Sequence, residues 1–365
     1  MIYLDHAATT PPDERVIEAM GRCMREVWQN PSAAYAAAGG ARRALRQARQ
    51  TVADMLNAAP QEIVFTSGGT EANNQALLAA RGGHAVVSAI EHASVLNAAR
   101  ALCREVSLVP PDADGIVSPK AIARALRPDT RLISVQFANN ETGALQPVAA
   151  IGALARARRV PFHCDAVQAF GHVPIDVAAL NIDLLSLSAH KLYGPRGAGA
   201  LYARQGVALP LMHGGGQESG LRPGTENVPA VCGLGVAAAL ARDDMDARAA
   251  RERALLAAFI GDMKRRIPAC RPLCEDTPRL PGLVAVLLPG LSSEKAVAAL
   301  DLRGIQVSGG AACASRERAA SHVYRAMGLS EGEAACVLRV SIGRRTTEDD
   351  LIAAAEEIGR LYRAM

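Results

Sequence analysis

Leu184-Leu-Ser-Leu-Ser-Ala-His-Lys-Leu-Tyr-Gly-Pro-Arg-Gly197 decides the fold of this chain. A short apolar run, Leu184 to Ser188, breaks off into His190, Lys191 and a Gly/Pro turn. The run lacks the polar alternation of a half-solvated strand, so it reads as a strand covered on both faces. A lysine at the end of such a strand is costly, because burial disfavours its charged form. It either lays its stem along apolar surface and reaches water, or it acts as a nucleophilic amine of the kind that forms Schiff bases.

Working outward, the same grammar repeats. Glu62-Ile-Val-Phe-Thr66, Ala85-Val-Val-Ser-Ala-Ile90, Glu105-Val-Ser-Leu-Val109, Arg131-Leu-Ile-Ser-Val-Gln-Phe137, Pro161-Phe-His-Cys164 and Gly199-Ala-Leu-Tyr202 all read as strands. Helical patterns lie between several of them, over residues 71–80, 94–102, 119–126 and 148–158. Alternation of this kind predicts an α/β domain around a mostly parallel seven-stranded sheet. A long helix over 228–266 leaves this domain. The remainder mixes strands at 283–287 and 339–342 with helices at 293–302 and 347–360, as a smaller α+β domain. The expected division is 13–250 for the large domain and 1–12 with 251–365 for the small one.

The 365 residues are half apolar and about a fifth charged, which is ordinary for a soluble globular chain. A net charge of +4 gives no case for nucleic acid, since Arg42, Arg43, Arg46 and Arg49 read as one solvated helix face. No apolar run is long enough to span a bilayer, so no membrane partner is expected. Met1-Ile-Tyr-Leu-Asp-His6 reads as a short strand entering a turn, not as a signal peptide. The eight cysteines are scattered. Cys270 and Cys274 are the one close pair, and nothing completes a zinc pattern, so no metal is expected. Reduced thiols in a cytoplasmic protein are the expectation.

Three further segments carry chemistry. Thr66-Ser-Gly-Gly-Thr-Glu-Ala-Asn73 comes after a strand and opens a helix, where Gly68 and Gly69 allow a tight turn. It is either an anion site suited to a phosphate or a simple turn capped by Thr70. Asp165, at the end of a buried strand, either needs a cationic partner or caps the next helix. A protonated pyridine nitrogen is one such partner. His92 comes just after another strand. In open α/β sheets the ligand crevice lies at the carboxyl ends of strands, and Thr70, His92, Asn140, Asp165 and Lys191 all fall at such ends.

In this order the motifs resemble the NifS/IscS-type cysteine desulfurases, fold-type I pyridoxal-phosphate enzymes of aminotransferase class V. The resemblance runs from Tyr3-Leu-Asp-His-Ala-Ala-Thr-Thr10 to Arg339-Val-Ser-Ile-Gly-Arg-Arg-Thr-Thr347. It takes in Asn30-Pro-Ser32, Ser67-Gly-Gly-Thr-Glu-Ala-Asn-Asn74, Glu91-His92, Ala138-Asn-Asn-Glu-Thr-Gly143, Asp165-Ala-Val-Gln168, His213-Gly-Gly-Gly-Gln217 and Arg222-Pro-Gly-Thr-Glu-Asn227. It implies pyridoxal 5'-phosphate held covalently by Lys191, with Asp165 on the ring nitrogen, Gln168 on the ring hydroxyl and His92 stacked on the ring and moving protons. Gly69, Thr70, Ser188 and His190 would bind the phosphate, and Thr225 would reach the phosphate of a partner subunit in a homodimer. Asn140 and Arg339 would hold the substrate carboxylate.

The resemblance also implies that Cys313, in Val307-Ser-Gly-Gly-Ala-Ala-Cys-Ala-Ser315, is the thiol that takes sulfur from L-cysteine, leaving L-alanine. Its glycine and alanine neighbours suggest an uncrowded loop. Cys23, Cys103, Cys164, Cys232 and Cys336 are expected to be inert small hydrophobes. The sulfur would pass to an acceptor such as an iron–sulfur scaffold protein. Relatives of the family, selenocysteine lyases and class V aminotransferases or lyases without persulfide chemistry, are the alternatives. Arg316-Glu-Arg-Ala-Ala320 departs from the family's usual Leu-Glu-Pro continuation and leaves the acceptor open.

Overall fold

The apolar runs of the sequence come together in one sheet. The computed structural model describes residues 1–207, 209, 212–310 and 321–364. The chain opens with β1 (Ile2–Tyr3), α1 (Glu14–Glu26) and α2 (Gly39–Leu56). Alternation then sets in: β2 (Ile63–Thr66), α3 (Gly69–Leu77), β3 (His84–Ser88), α4 (Ala93–Leu102), β4 (Glu105–Val109), α5 (Pro119–Ala125), β5 (Thr130–Ser134), α6 (Val148–Arg158), β6 (Phe162–Asp165), β7 (Leu184–Ser188) and β8 (Gly199–Ala203). These seven strands, β2 to β8, form a sheet in the order β2-β8-β7-β6-β5-β3-β4. Only β8 runs against its neighbours, β2 and β7. Two antiparallel steps restore direction, so the carboxyl ends of β2, β3, β5, β6 and β7 share one side of the sheet.

β7 is buried along its whole length, as are β2, β3 and β6. That explains their missing alternation: helices cover both faces, and a polar residue there would need an internal partner. His163 supplies one such case. Its ring nitrogens bridge Ser134 of β5 at 2.8 Å and Ser186 of β7 at 3.0 Å. β4, at the sheet edge, is mostly exposed or half-buried.

Helix α7 (Val228–Arg266) is 39 residues long, about 58 Å at 1.5 Å per residue. Asn227 caps its start, its side chain accepting from the Ala230 N–H at 3.2 Å. Val228, Val231, Leu234 and Ala241 lie in the core that covers the seven-stranded sheet. Leu256, Phe259, Ile260 and Met263, near its other end, lie in a second core. That second core also holds residues of β10 (Leu283–Leu287), α8 (Ser293–Asp301), β12 (Val337–Ser341) and α11 (Glu348–Arg363). β12, β10 and β9 (Arg271–Pro272) form an antiparallel sheet. The N-terminal β1 joins this part of the chain, pairing in parallel with β11 (Ile305–Gln306). Short helices α9 (His322–Ala326) and α10 (Glu331–Ala334) complete the described elements.

Candidate active site

Five strand ends build one cavity. Gly69, Thr70, Asn73, His92, Ser94, Gln136, Asn140, Asp165, Gln168, Ser188, His190, Lys191 and Arg339 all line it, with Ala7 and Ala8 of the N-terminal segment. Two residues singled out in the sequence are not among them. Thr225 lies elsewhere, in a groove with Met24, Val27 and Trp28. Cys313 lies outside the described residues, as do Arg316, Glu317 and Arg318.

Helix α3 forms one wall. Its N-cap is Gly68, at φ +154°, and no side chain caps the helix. The expectation of Thr70 as a capping residue therefore fails: Thr70 stands one residue inside the helix, which begins at Gly69 and not at Glu71. The unshielded helix end faces the cavity with a positive partial charge and small residues around it, a setting that suits a phosphate. Gly199 lies so close beneath that a Cβ there would stand 2.7 Å from the Gly68 Cα.

Asp165 ends β6 and is buried. Its Oδ1 accepts from the Val167 N–H at 2.9 Å and its Oδ2 from Asn73 Nδ2 at 2.7 Å. Among the described residues no helix follows β6 before β7, so Asp165 caps only the local turn, and its carboxylate lines the cavity. Glu91, one residue before His92, is fully buried, and burial and the nearby Asp165 push it well above the usual carboxylate range. Burial beside another carboxyl thus favours the neutral form of Glu91. His92 is held below the usual histidine range, chiefly by burial. Asp165 works against this, while Lys191 and His322 reinforce it.

The Lys191 turn packs against the N-terminal segment. Lys191 Nζ donates to the carbonyls of Ala7 and, at 2.9 Å, Ala8. His172 holds the Lys191 carbonyl at 3.0 Å. Gln168 donates to the Ala7 carbonyl at 2.8 Å, and His190 Nδ1 meets Thr9 Oγ1 at 3.1 Å. Arg339 is buried, pairs with Asp5 at 2.6 Å and donates to the Asn140 carbonyl at 2.8 Å. The chain on either side of residues 311–320 is anchored at this cavity. Ser308 bridges Arg339, Ser321 donates to Glu141 at 2.6 Å, and His322 Nε2 donates to the Glu91 carbonyl at 3.0 Å.

An uncapped helix end, a buried carboxylate and a lysine amine around one cavity match the three ends of pyridoxal phosphate: phosphate, ring nitrogen and aldehyde. Comparison with known proteins agrees. The family model for aminotransferase class V matches residues 2–353. The chain belongs to the class V aminotransferase family. It is 40% identical over 360 residues to the cysteine desulfurase IscS of Dictyoglomus turgidum, covering 96% of this chain and 91% of that one. It is 41% identical over 377 residues to the IscS of Anaeromyxobacter sp. strain K, covering 100% and 93%. Among solved structures, a NifS-like protein from Rickettsia africae aligns over 100% of this chain and 99% of that one, with a TM-score of 0.91 and 32% identity. SspA in complex with cysteine aligns over 94% and 99%, with a TM-score of 0.80 and 36% identity. As a member of this family the chain is a fold-type I, pyridoxal-phosphate-dependent enzyme.

Sequence reasoning missed several residues around the cavity. Asn73 stands within a motif but was given no role; a helix starting at Gly69 brings it to the same face as Thr70, three residues earlier. Asp5, Glu91 and Glu141 likewise stand in motifs without a role. The thiols meet expectation in part: Cys23 and Cys164 are buried, whereas Cys103, Cys232 and Cys336 are half-buried.

Proposed function

We propose that this protein is a cysteine desulfurase that removes sulfur from L-cysteine and leaves it as a persulfide on Cys313. One observation carries the reading: a lysine, a buried aspartate and an uncapped helix end share a cavity in a chain about 40% identical to cysteine desulfurases over nearly its whole length. Pyridoxal phosphate, when bound, supplies an electron sink for the carbanion formed beside the substrate amine. Lys191, whose amine lines the cavity, would hold the cofactor and would be the group placed to move a proton at the substrate α-carbon. Asp165 keeps the ring nitrogen protonated, and Gln168 meets the ring hydroxyl. Gly69, Thr70, Ser188 and His190 bind the phosphate. Asn140 and Arg339 receive the substrate carboxylate, and His92 moves a second proton.

Cys313 attacks as a thiolate. A bond forms between its sulfur and the substrate Sγ, and the Cβ–Sγ bond breaks. The bonding pair stays on Cβ, which gains a proton to become the methyl of L-alanine. The sulfur is oxidised to the persulfide level and Cβ is reduced, so no outside oxidant is required. A second thiol then takes the terminal sulfur. The anchoring of residues 308, 321 and 322 at the cavity supports Cys313 as the thiol that serves it.

The test is Cys313→Ser. The variant keeps the visible cofactor band and the spectral change on adding L-cysteine, and loses alanine and sulfide formation. A variant that still released sulfide from L-cysteine would return the protein to the plain class V lyases. Faster turnover of selenocysteine than of cysteine would make it a selenocysteine lyase.

A homodimer completes the reading. Thr225 sits beside Trp28, which is 73% exposed, and Met24, which is 57% exposed. A second copy seated there would cover these side chains and bring Thr225 toward its partner's phosphate. Trp28→Glu in sedimentation experiments then yields monomers with weakened cofactor binding. We assign residues 13–250 to a cofactor-binding domain and 1–12 with 251–365 to a smaller domain. A cytoplasmic setting, with an iron–sulfur scaffold as acceptor, fits the IscS relatives and the free state of the seven described cysteines. Among the described residues no helix is long and apolar enough to cross a membrane.

A further inference from the structure

Asn73, buried on α3, and Ser94, at the start of α4, connect the two groups that flank the ring position. Asn73 Nδ2 lies 2.7 Å from Asp165 Oδ2 and 2.9 Å from Ser94 Oγ. Ser94 Oγ lies 2.8 Å from His92 Nδ1, and the Ser94 backbone N–H donates to the same nitrogen at 3.1 Å. Donor and acceptor counting leaves one assignment. An ionised carboxylate only accepts, so the Asn73 amide turns its NH2 group toward Asp165. The second Nδ2 proton goes to Ser94 Oγ. The hydroxyl proton of Ser94 is then free for His92 Nδ1, which already receives a backbone N–H. The backbone N–H aimed at Nδ1 needs the single lone pair of that nitrogen, which excludes a proton there and leaves the Ser94 hydroxyl as a second donor toward it.

We infer that Asn73 and Ser94 are positioning residues that lock His92 in a single tautomer, with Nδ1 as acceptor and Nε2 as the one nitrogen that gives or takes a proton. The inference rests on the proposed role of His92 at this site. The imidazolium form is disfavoured by the same geometry, because an Nδ1 proton would point at a backbone N–H. Charged and titratable groups acting on His92 are Asp165 from β6, Lys191 from the turn after β7 and His322 from α9, and the preceding residue in the chain is the buried Glu91. Burial and the two cationic or imidazole neighbours act with the network, and Asp165 acts against it.

Ser94→Ala removes the hydroxyl and keeps the backbone donor; Asn73→Ala removes both amide bonds. Histidine ring nitrogen NMR on the apoprotein reads the tautomer without any turnover. In the wild type Nδ1 is unprotonated at neutral pH. In Ser94→Ala the His92 titration moves up toward the ordinary histidine value, and the acid limb of the kcat profile moves with it. In Asn73→Ala the dissociation constant for pyridoxal phosphate rises about tenfold, as Asp165 loses a charge-assisted partner. A proton on Nδ1 in the wild type, or an unchanged His92 titration in Ser94→Ala, overturns the inference. Loss of desulfuration in Cys313→Ser is read separately, so failure here leaves the proposed function standing.

Discussion

At the scale of single residues, Lys191 and Asp165 carry the chemistry, and both were legible because a charged side chain at the end of an apolar run is expensive enough to demand a reason. Lys191→Ala abolishes the visible band of the holoenzyme and its turnover; a folded variant that keeps either one would remove Lys191 from the site. Asp165→Asn keeps a side chain of equal size able to accept from Val167, and lowers kcat by roughly 100-fold or more. Free cofactor added in excess does not restore the rate, which separates lost electrostatics from lost binding. What could not be read from the sequence is the support behind these groups. Asn73, Ser94 and Glu91 are polar residues in helix starts and turns, where such residues are common for local reasons. The approach of α3 to β6 gives Asn73 its partner Asp165, and the end of β5 brings the Gln136 N–H to Glu91, across 92 and 45 residues of chain.

At the scale of elements, the strand-end turns depend on close backbone contact. The strands and helices themselves were largely legible: α6 and α7 begin and end where the apolar periodicity places them. The direction of β8 was not, because a fully buried strand carries no sign of whether its neighbour runs with it or against it. That reversal matters. β8 brings Gly199 under the α3 turn, where a side chain would meet Gly68 Cα at 2.7 Å and the Leu187 carbonyl at 2.6 Å. Neither contact can give way cheaply, since both atoms are backbone. Gly199→Ala therefore displaces the phosphate turn, with an overpacking cost of about 1–3 kcal/mol. Titration with pyridoxal phosphate shows weaker binding in this variant. Unchanged affinity together with an unchanged melting temperature would show that the turn adapts, and that the close approach does not set the site.

At the scale of the molecule, α7 joins the core over the main sheet to the second core, and the fold buries several imidazoles and so disfavours their protonation. Burial pushes His163 and His172 down to about 3. His6 and His190 fall to about 4, also chiefly by burial. In the unfolded chain all four titrate near 6.5. Between the folded and unfolded values the unfolded chain holds more protons, so each histidine contributes stability that is present above about pH 6.5 and is lost as pH falls. Two carboxyls act in the opposite sense. Burial raises Glu252 to about 7 and Glu91 well above its usual range. Each holds its proton more tightly in the fold than in the unfolded chain, so its contribution is lost as pH rises through the folded value. Between pH 6 and 5 the four imidazoles outweigh the two carboxyls, so stability falls as pH falls through that interval. Above pH 7 the carboxyls prevail. Thermal unfolding of the apoprotein at constant ionic strength therefore shows a maximum midpoint near neutral pH and a steep fall from pH 6 to 5. A midpoint that held level or rose over that interval would mean that these imidazoles take up protons within the native fold.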